Sequence, residues 1–140
     1  MFINIKNQIS NPEIRKVLAA CVWDNSEKGM DKVEDDYKRR DDWQIYGWSE
    51  DGKIVGVCGF EVHSDWLEIL HIATCESARG RGIGRLIIAE LQERYSMNIE
   101  AETDDDAVDF YRKCGFEATE IRKYDVRRWA CVLCVSALEQ

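Results

Sequence analysis

The sequence predicts an α/β (α+β) protein of about seven strands and about four helices. Three observations predict it. Short apolar runs bounded by turn residues recur along the chain, with a meander either side of Asp51-Gly52. Other segments carry apolar residues at a spacing near 3.6. One strand-to-helix junction in the middle of the chain holds three alternating glycines, Arg79-Gly80-Arg81-Gly82-Ile83-Gly84.

Phe2 to Ile5 reads as a short first strand. Ser10-Asn11-Pro12-Glu13 is a helix start, with Ser10 as cap, Pro near the first helical position and Glu three residues after the Ser. Ile14, Val17, Leu18, Cys21 and Val22 carry that helix to about Asp24-Asn25. A more polar helix comes next over Met30 to Arg39, with Met30, Val33 and Tyr37 on one face. Trp43 to Trp48, Lys53 to Val62 and Trp66 to Thr74 are the strands of the meander. The helix opening at Gly82 buries Ile83, Leu86, Ile87 and Leu91. Met97 to Ala101 is a short strand, and Thr103 is placed to cap a helix from Asp104 to about Lys113. Phe116 to Arg122 and Arg128 to Val135 complete the set.

The composition narrows the class. The chain has 140 residues, 45% hydrophobic, with one proline, which is the make-up of a globular domain spanning 1–140. A formal charge of -8 argues against a nucleic-acid partner, whose backbone needs a basic face. It favours cationic partners such as amines, although solubility is the plainer explanation. No leader-like segment opens the sequence and no apolar run has the length of a membrane span. With six scattered cysteines, this predicts reduced thiols in the cytoplasm. Cys131 and Cys134 have a CxxC spacing, but on a strand they face opposite sides and share no metal.

The glycine junction is the most informative feature. Glycines between a strand and a helix let the backbone turn tightly with its amides exposed, and the helix N-terminus adds positive potential. Such a loop holds an anion, commonly a phosphate or pyrophosphate. The spacing is not GxGxxG, and no GxxxxGK-Ser/Thr is present. A hairpin meander leading into the loop is also wrong for a repeated strand-helix-strand nucleotide fold.

These residues resemble the GNAT superfamily of N-acetyltransferases. Arg79-Gly80-Arg81-Gly82-Ile83-Gly84 fits the family's signature of Arg or Gln, two residues, Gly, one residue, then Gly or Ala. Ala107-Val108-Asp109-Phe110-Tyr111 followed by Gly115-Phe116 matches a second signature, a helix with Phe-Tyr ending in Gly-Phe. The resemblance implies a mixed, largely antiparallel central sheet and acetyl-CoA as the donor. It implies a pyrophosphate on the amides of Arg79, Gly80, Arg81, Gly82, Ile83 and Gly84. It further implies a pantetheine arm along Ile72, Ala73 and Thr74, admitted where the fourth and fifth strands splay apart. The family often has Asn where this chain has Asp104, and Asp lacks the amide donor.

The implied reaction is direct acetyl transfer to an amine in a ternary complex. It needs a proton acceptor for the amine and a donor for the departing thiolate. Tyr111 matches the family's tyrosine near the cofactor sulfur and is the candidate acid; packing against Phe110 is its structural alternative. Glu68, four positions before Ile72, is the candidate base, with a solvated strand residue as the alternative. It shares strand parity with Trp66, Leu70 and Ile72, whereas His71 has the opposite parity unless a bulge intervenes. No metal-ligand cluster or Ser-His-Asp set is indicated. The acceptor, a small-molecule amine or peptide N-terminus, is expected beside the two N-terminal helices. That region is acidic at Glu34, Asp35, Asp36, Asp41 and Asp42. Trp43, Trp48 and Trp66 are expected to pack the sheet. Neither nucleic acid nor membrane is an expected partner, and the protein is a monomer or homodimer. A non-catalytic acyl-CoA sensor and, less favoured, an ATP or dinucleotide binder remain the alternatives.

Overall fold

Seven strands form one sheet in the computed structural model, which describes residues 1–135. In chain order they are β1 (Phe2–Asn4), β2 (Trp43–Glu50), β3 (Lys53–Val62), β4 (Trp66–Thr74), β5 (Asn98–Thr103), β6 (Glu117–Lys123) and β7 (Val126–Leu133). The helices are α1 (Pro12–Ala19), α2 (Glu27–Arg39), α3 (Ile83–Tyr95) and α4 (Val108–Lys113). The spatial order is β1-β2-β3-β4-β5-β7-β6. Every neighbouring pair is antiparallel except β4 and β5, which run parallel. The sheet is therefore mixed and largely antiparallel, as the sequence implies. Among the described residues no helix is long and apolar enough to cross a membrane.

Each face of the sheet buries its own layer. Phe60, Leu67, Ile69 and Ile99 pack with Ile87 and Leu91 of α3 and with Val108 and Tyr111 of α4. On the other face Ile45 and Val57 pack with Ile14 and Leu18 of α1 and Tyr37 of α2. Each such aliphatic side chain contributes about 1.5–3 kcal/mol by leaving water.

Several helix ends differ from expectation, each for a local reason. The cap of α1 is Asn11, whose side chain accepts the Glu13 amide; Ser10 instead donates to Glu34 of α2. That helix stops at Ala19, well before Asp24. The Asp24 carboxylate is occupied at the start of α2, accepting from the amide and hydroxyl of Ser26. Ser26 caps α2 through the Gly29 amide, so α2 begins three residues before Met30. Thr103 caps nothing: it is buried in β5 opposite Trp129, and β5 runs past Ala101. Asp104 folds the next turn by accepting the amides of Asp106 and Ala107, and α4 begins only at Val108.

The strand β4 is irregular on both edges. Gly59 pairs with His71 and Phe60 pairs with Ile69, which leaves Leu70 without a partner on β3. This is a β-bulge, and it reverses the side-chain alternation beyond it. On its other edge β4 pairs with β5 only from Trp66–Asn98 to Glu68–Glu100. Beyond Glu68 the two parallel strands diverge, and β5 continues along β7 alone.

Candidate active site

The divergence of β4 and β5 opens a cavity of about 840 Å³. Its walls are the free edge of β4 from Leu70 to Thr74, the glycine loop, Phe110 and Tyr111 of α4, and Cys21 to Trp23 after α1. Trp23 stands fully exposed at this wall.

The glycines of the loop differ in what they do. Gly80 and Gly82 have φ of +79° and +77°, a left-handed backbone that glycine adopts without strain, and no atom crowds the space above either. Gly82 is the N-cap of α3 and provides no side-chain acceptor, so the first amides of that helix lack a capping partner there. Gly84 serves packing: a Cβ there would stand 2.7 Å from the Phe110 ring. That contact joins the two sequence signatures, seating the Phe-Tyr helix directly on the start of α3. Arg79 and Arg85 line the cavity, while Arg81 turns its guanidinium to Glu50 at 2.6 Å. Ile83 is buried beneath the loop. Ile72, Ala73, Thr74, Arg79, Gly80, Gly82, Ile83 and Gly84 all border the cavity; Arg81 does not.

Tyr111 projects from α4 between Phe110 and Phe116, both edge-on with centroids at 5.2 Å. Its hydroxyl has no protein hydrogen bond among the described residues and is not a sealed, unpartnered atom, so it opens onto the cavity. Burial raises its pKa above that of an ordinary phenol.

Glu68 lies outside the cavity wall. It occupies a row of carboxylates across three strands, with Glu61 directly opposite on β3 and Glu100 on β5. Desolvation and then the charge of Glu61 raise its pKa. His63, stacked on Trp66 at 3.7 Å, completes a group in which Glu61, His63 and Glu68 offer ligand-type atoms within 4.8 Å of one another. Sequence spacing gave no sign of this cluster, because a turn and a cross-strand pair create it.

The bulge corrects the expected parity. Ile72 packs with the α3 layer, whereas His71 faces α2, the side on which Glu68 and Glu61 stand. His71 Nδ1 is 2.7 Å from the Tyr37 hydroxyl, and the His71 ring lines the cavity. Gly59, opposite His71, makes room for Tyr37, since a Cβ there would fall within the Tyr37 hydroxyl. Gly59→Ala is expected to cost about 1–3 kcal/mol as an overpacked core, lowering the thermal midpoint on the order of 5 °C. An unchanged midpoint in a melting experiment would show that Tyr37 has room to move.

The acidic run on α2 is largely neutralised. Glu34 pairs with Arg15 and Lys38, and Asp35 and Asp36 pair with Arg39. Trp43 packs edge-on against Tyr37 and Trp48 joins the α3 layer, as expected of packing residues. All six cysteines are free thiols.

A family model described as an acetyltransferase (GNAT) domain matches residues 41–118, more than half of the chain. An uncharacterised N-acetyltransferase of Bacillus methanolicus, from the 3′ region of lysA, is 29% identical over 93 residues, covering 64% of this chain and 77% of that protein. The fold is similar to an aminoglycoside 6′-N-acetyltransferase complexed with coenzyme A, with TM-score 0.76, 12% identity and coverage of 96% and 97%. It is also similar to the ribosomal-protein-S18-alanine N-acetyltransferase of Escherichia coli, with TM-score 0.73, 15% identity and coverage of 94% and 90%.

Proposed function

The chain belongs to the GNAT acetyltransferase family, and on that premise we propose that it transfers an acetyl group from acetyl-CoA to an amine by direct attack in a ternary complex. The observation that carries this reading is the free edge of β4. Its backbone beyond Glu68 has no strand partner on the β5 side, and it runs straight into the glycine loop. An arm bearing amides pairs with such an edge as an added strand would. Ile72, Ala73 and Thr74 offer that edge to the pantetheine. The loop amides from Arg79 to Gly84, with the α3 N-terminus behind them, take the pyrophosphate. Arg79 and Arg85 add positive charge at the same wall.

The amine nitrogen forms a bond to the thioester carbonyl carbon and the carbon–sulfur bond breaks. The proton leaving nitrogen goes to Glu68, through water because Glu68 stands off the cavity wall. The departing thiolate takes the proton of Tyr111, whose side chain borders the cavity. Proton transfer by positioned groups of this kind contributes about 10²–10⁴-fold each. The acceptor class is a small-molecule amine or a peptide N-terminus. The aminoglycoside and ribosomal-protein acetyltransferases of similar fold are named for one of each kind.

A ligand at a hundred times its Kd adds about 2.7 kcal/mol to stability, so acetyl-CoA is expected to raise the melting temperature on the order of 10 °C. A rise with ATP or NAD and none with acetyl-CoA would overturn the reading. Free-thiol release with a panel of small amines and N-terminal peptides then tests turnover. Thiol release no faster than hydrolysis across that panel would favour a sensor of acyl-CoA.

A further inference from the structure

We propose that His71 acts as a fixed, neutral hydrogen-bond donor whose Nε2–H holds a carbonyl oxygen bound in the cavity, with Tyr37 as the positioning residue that locks its tautomer. The hydrogen bonding of Tyr37 decides the tautomer. Tyr37 is wholly buried, and its hydroxyl has one partner among the described residues, His71 Nδ1 at 2.7 Å. Were Nδ1 protonated and donating, the phenolic O–H would be left without an acceptor in the interior, which costs its full desolvation. The hydroxyl therefore donates, Nδ1 accepts, and the one proton of the neutral ring sits on Nε2. Nε2 has no hydrogen-bond partner among the described residues, yet it is not sealed, and the ring borders the cavity. The donor consequently points into the space where the acetyl group and the acceptor are proposed to meet.

The surroundings fix that state. Tyr37 is clamped by the edge-on ring of Trp43 at 5.2 Å and fits only because Gly59 lacks a side chain. No carboxylate or cation bonds His71 among the described residues, and burial lowers its pKa to about 4. The ring thus remains neutral across the physiological range, with its sole lone-pair nitrogen occupied by Tyr37. It is a poor base and a well-oriented donor. A donor already neutral and held in place stabilises developing negative charge on oxygen without reorganising during the reaction. The identity of the oxygen rests on the acetyltransferase reading; the tautomer does not.

Imidazole nitrogen NMR on the unmodified protein tests the tautomer directly. The chain has two histidines, so a His63→Gln variant assigns the signals. The expected result is an Nε2–H tautomer for His71 with no titration between about pH 5 and 8. An Nδ1–H tautomer, or an imidazolium forming in that window, overturns the proposal whether or not the protein is an active acetyltransferase. In turnover, His71→Ala is expected to lose about 10²-fold, and His71→Gln, which keeps an N–H donor, to recover most of it. Tyr37→Phe is expected to release Nδ1–H signal and lower turnover in part. A loss in kcat identifies the thioester oxygen, and a rise in acceptor KM alone identifies an oxygen of the acceptor. Equal losses in the Gln and Ala variants, with an ionisation missing from the pH profile of both, would make His71 a base and overturn the proposal.

Discussion

Tyr111→Phe is expected to lower kcat by about 10²-fold or more while leaving acetyl-CoA affinity and thermal stability nearly unchanged. Phenylalanine keeps the edge-on packing with Phe110 and Phe116, and removal of the hydroxyl orphans no partner among the described residues. The loss is therefore confined to the step in which the hydroxyl meets the departing sulfur. In water a phenol near pKa ~10 is a weak donor to a thiolate whose acid titrates near ~8.5. Burial lifts the Tyr111 phenol, and burial in the same cavity disfavours a thiolate formed there, which makes it more basic than in water and a better acceptor for the shared proton. Because the Tyr111 pKa is raised, the hydroxyl stays protonated throughout the working range, and its ionisation puts no falling limb on the rate below about pH 10. Steady-state thiol release and calorimetric titration with acetyl-CoA measure the two quantities separately. An unchanged kcat, under conditions where a solvent isotope effect shows that proton transfer limits the rate, would remove Tyr111 from the acid role.

What was legible in the sequence was what local chemistry determines. The order of elements came from apolar periodicity, and the loop from glycines whose backbone requirement is intrinsic. Gly80 and Gly82 do adopt the left-handed backbone. The two signatures were each readable, yet nothing in either indicated that Gly84 and Phe110 touch, since their contact depends on how α4 seats on α3. The β4 bulge left no mark. Leu67 to Thr74 is a continuous apolar run broken only by Glu68 and His71, and alternation alone placed those two on opposite faces. One extra residue at Leu70 brings them to the same face. The Tyr37–His71 bond joins residues 34 positions apart and was invisible for the same reason. At Thr103 the capping preference lost to tertiary pairing. Its place opposite Trp129 buries it in β5, and Asp104 then makes the turn that a cap would have made.

Glu68→Gln is expected to move stability and turnover in opposite directions. Glu68 faces Glu61 and Glu100 across its two strand neighbours and has no ion pair among the described residues. Like charges directly opposed across strands cost about 0.2–1 kcal/mol, so the neutral isostere is expected to melt about 1–4 °C higher at neutral pH. Desolvation and the neighbouring carboxylates raise the folded pKa, so the folded chain holds this proton to higher pH than the unfolded chain does. Below the unfolded value, near ~4.3, Glu68 is protonated in both states and the variant gains nothing. As pH rises through the raised folded value, the charge must be borne in the fold, and the advantage of glutamine grows to its full size. Turnover behaves oppositely. A base must be ionised, so kcat/KM for the amine should rise through the raised Glu68 pKa in the parent protein. The variant should lose that limb together with about 10²-fold of rate. Raised stability with unaltered turnover would assign Glu68 to the acidic row of the sheet and leave the proton to solvent. Raised stability with the limb abolished would mean that this chain retains an unfavourable charge in its sheet because the reaction uses it.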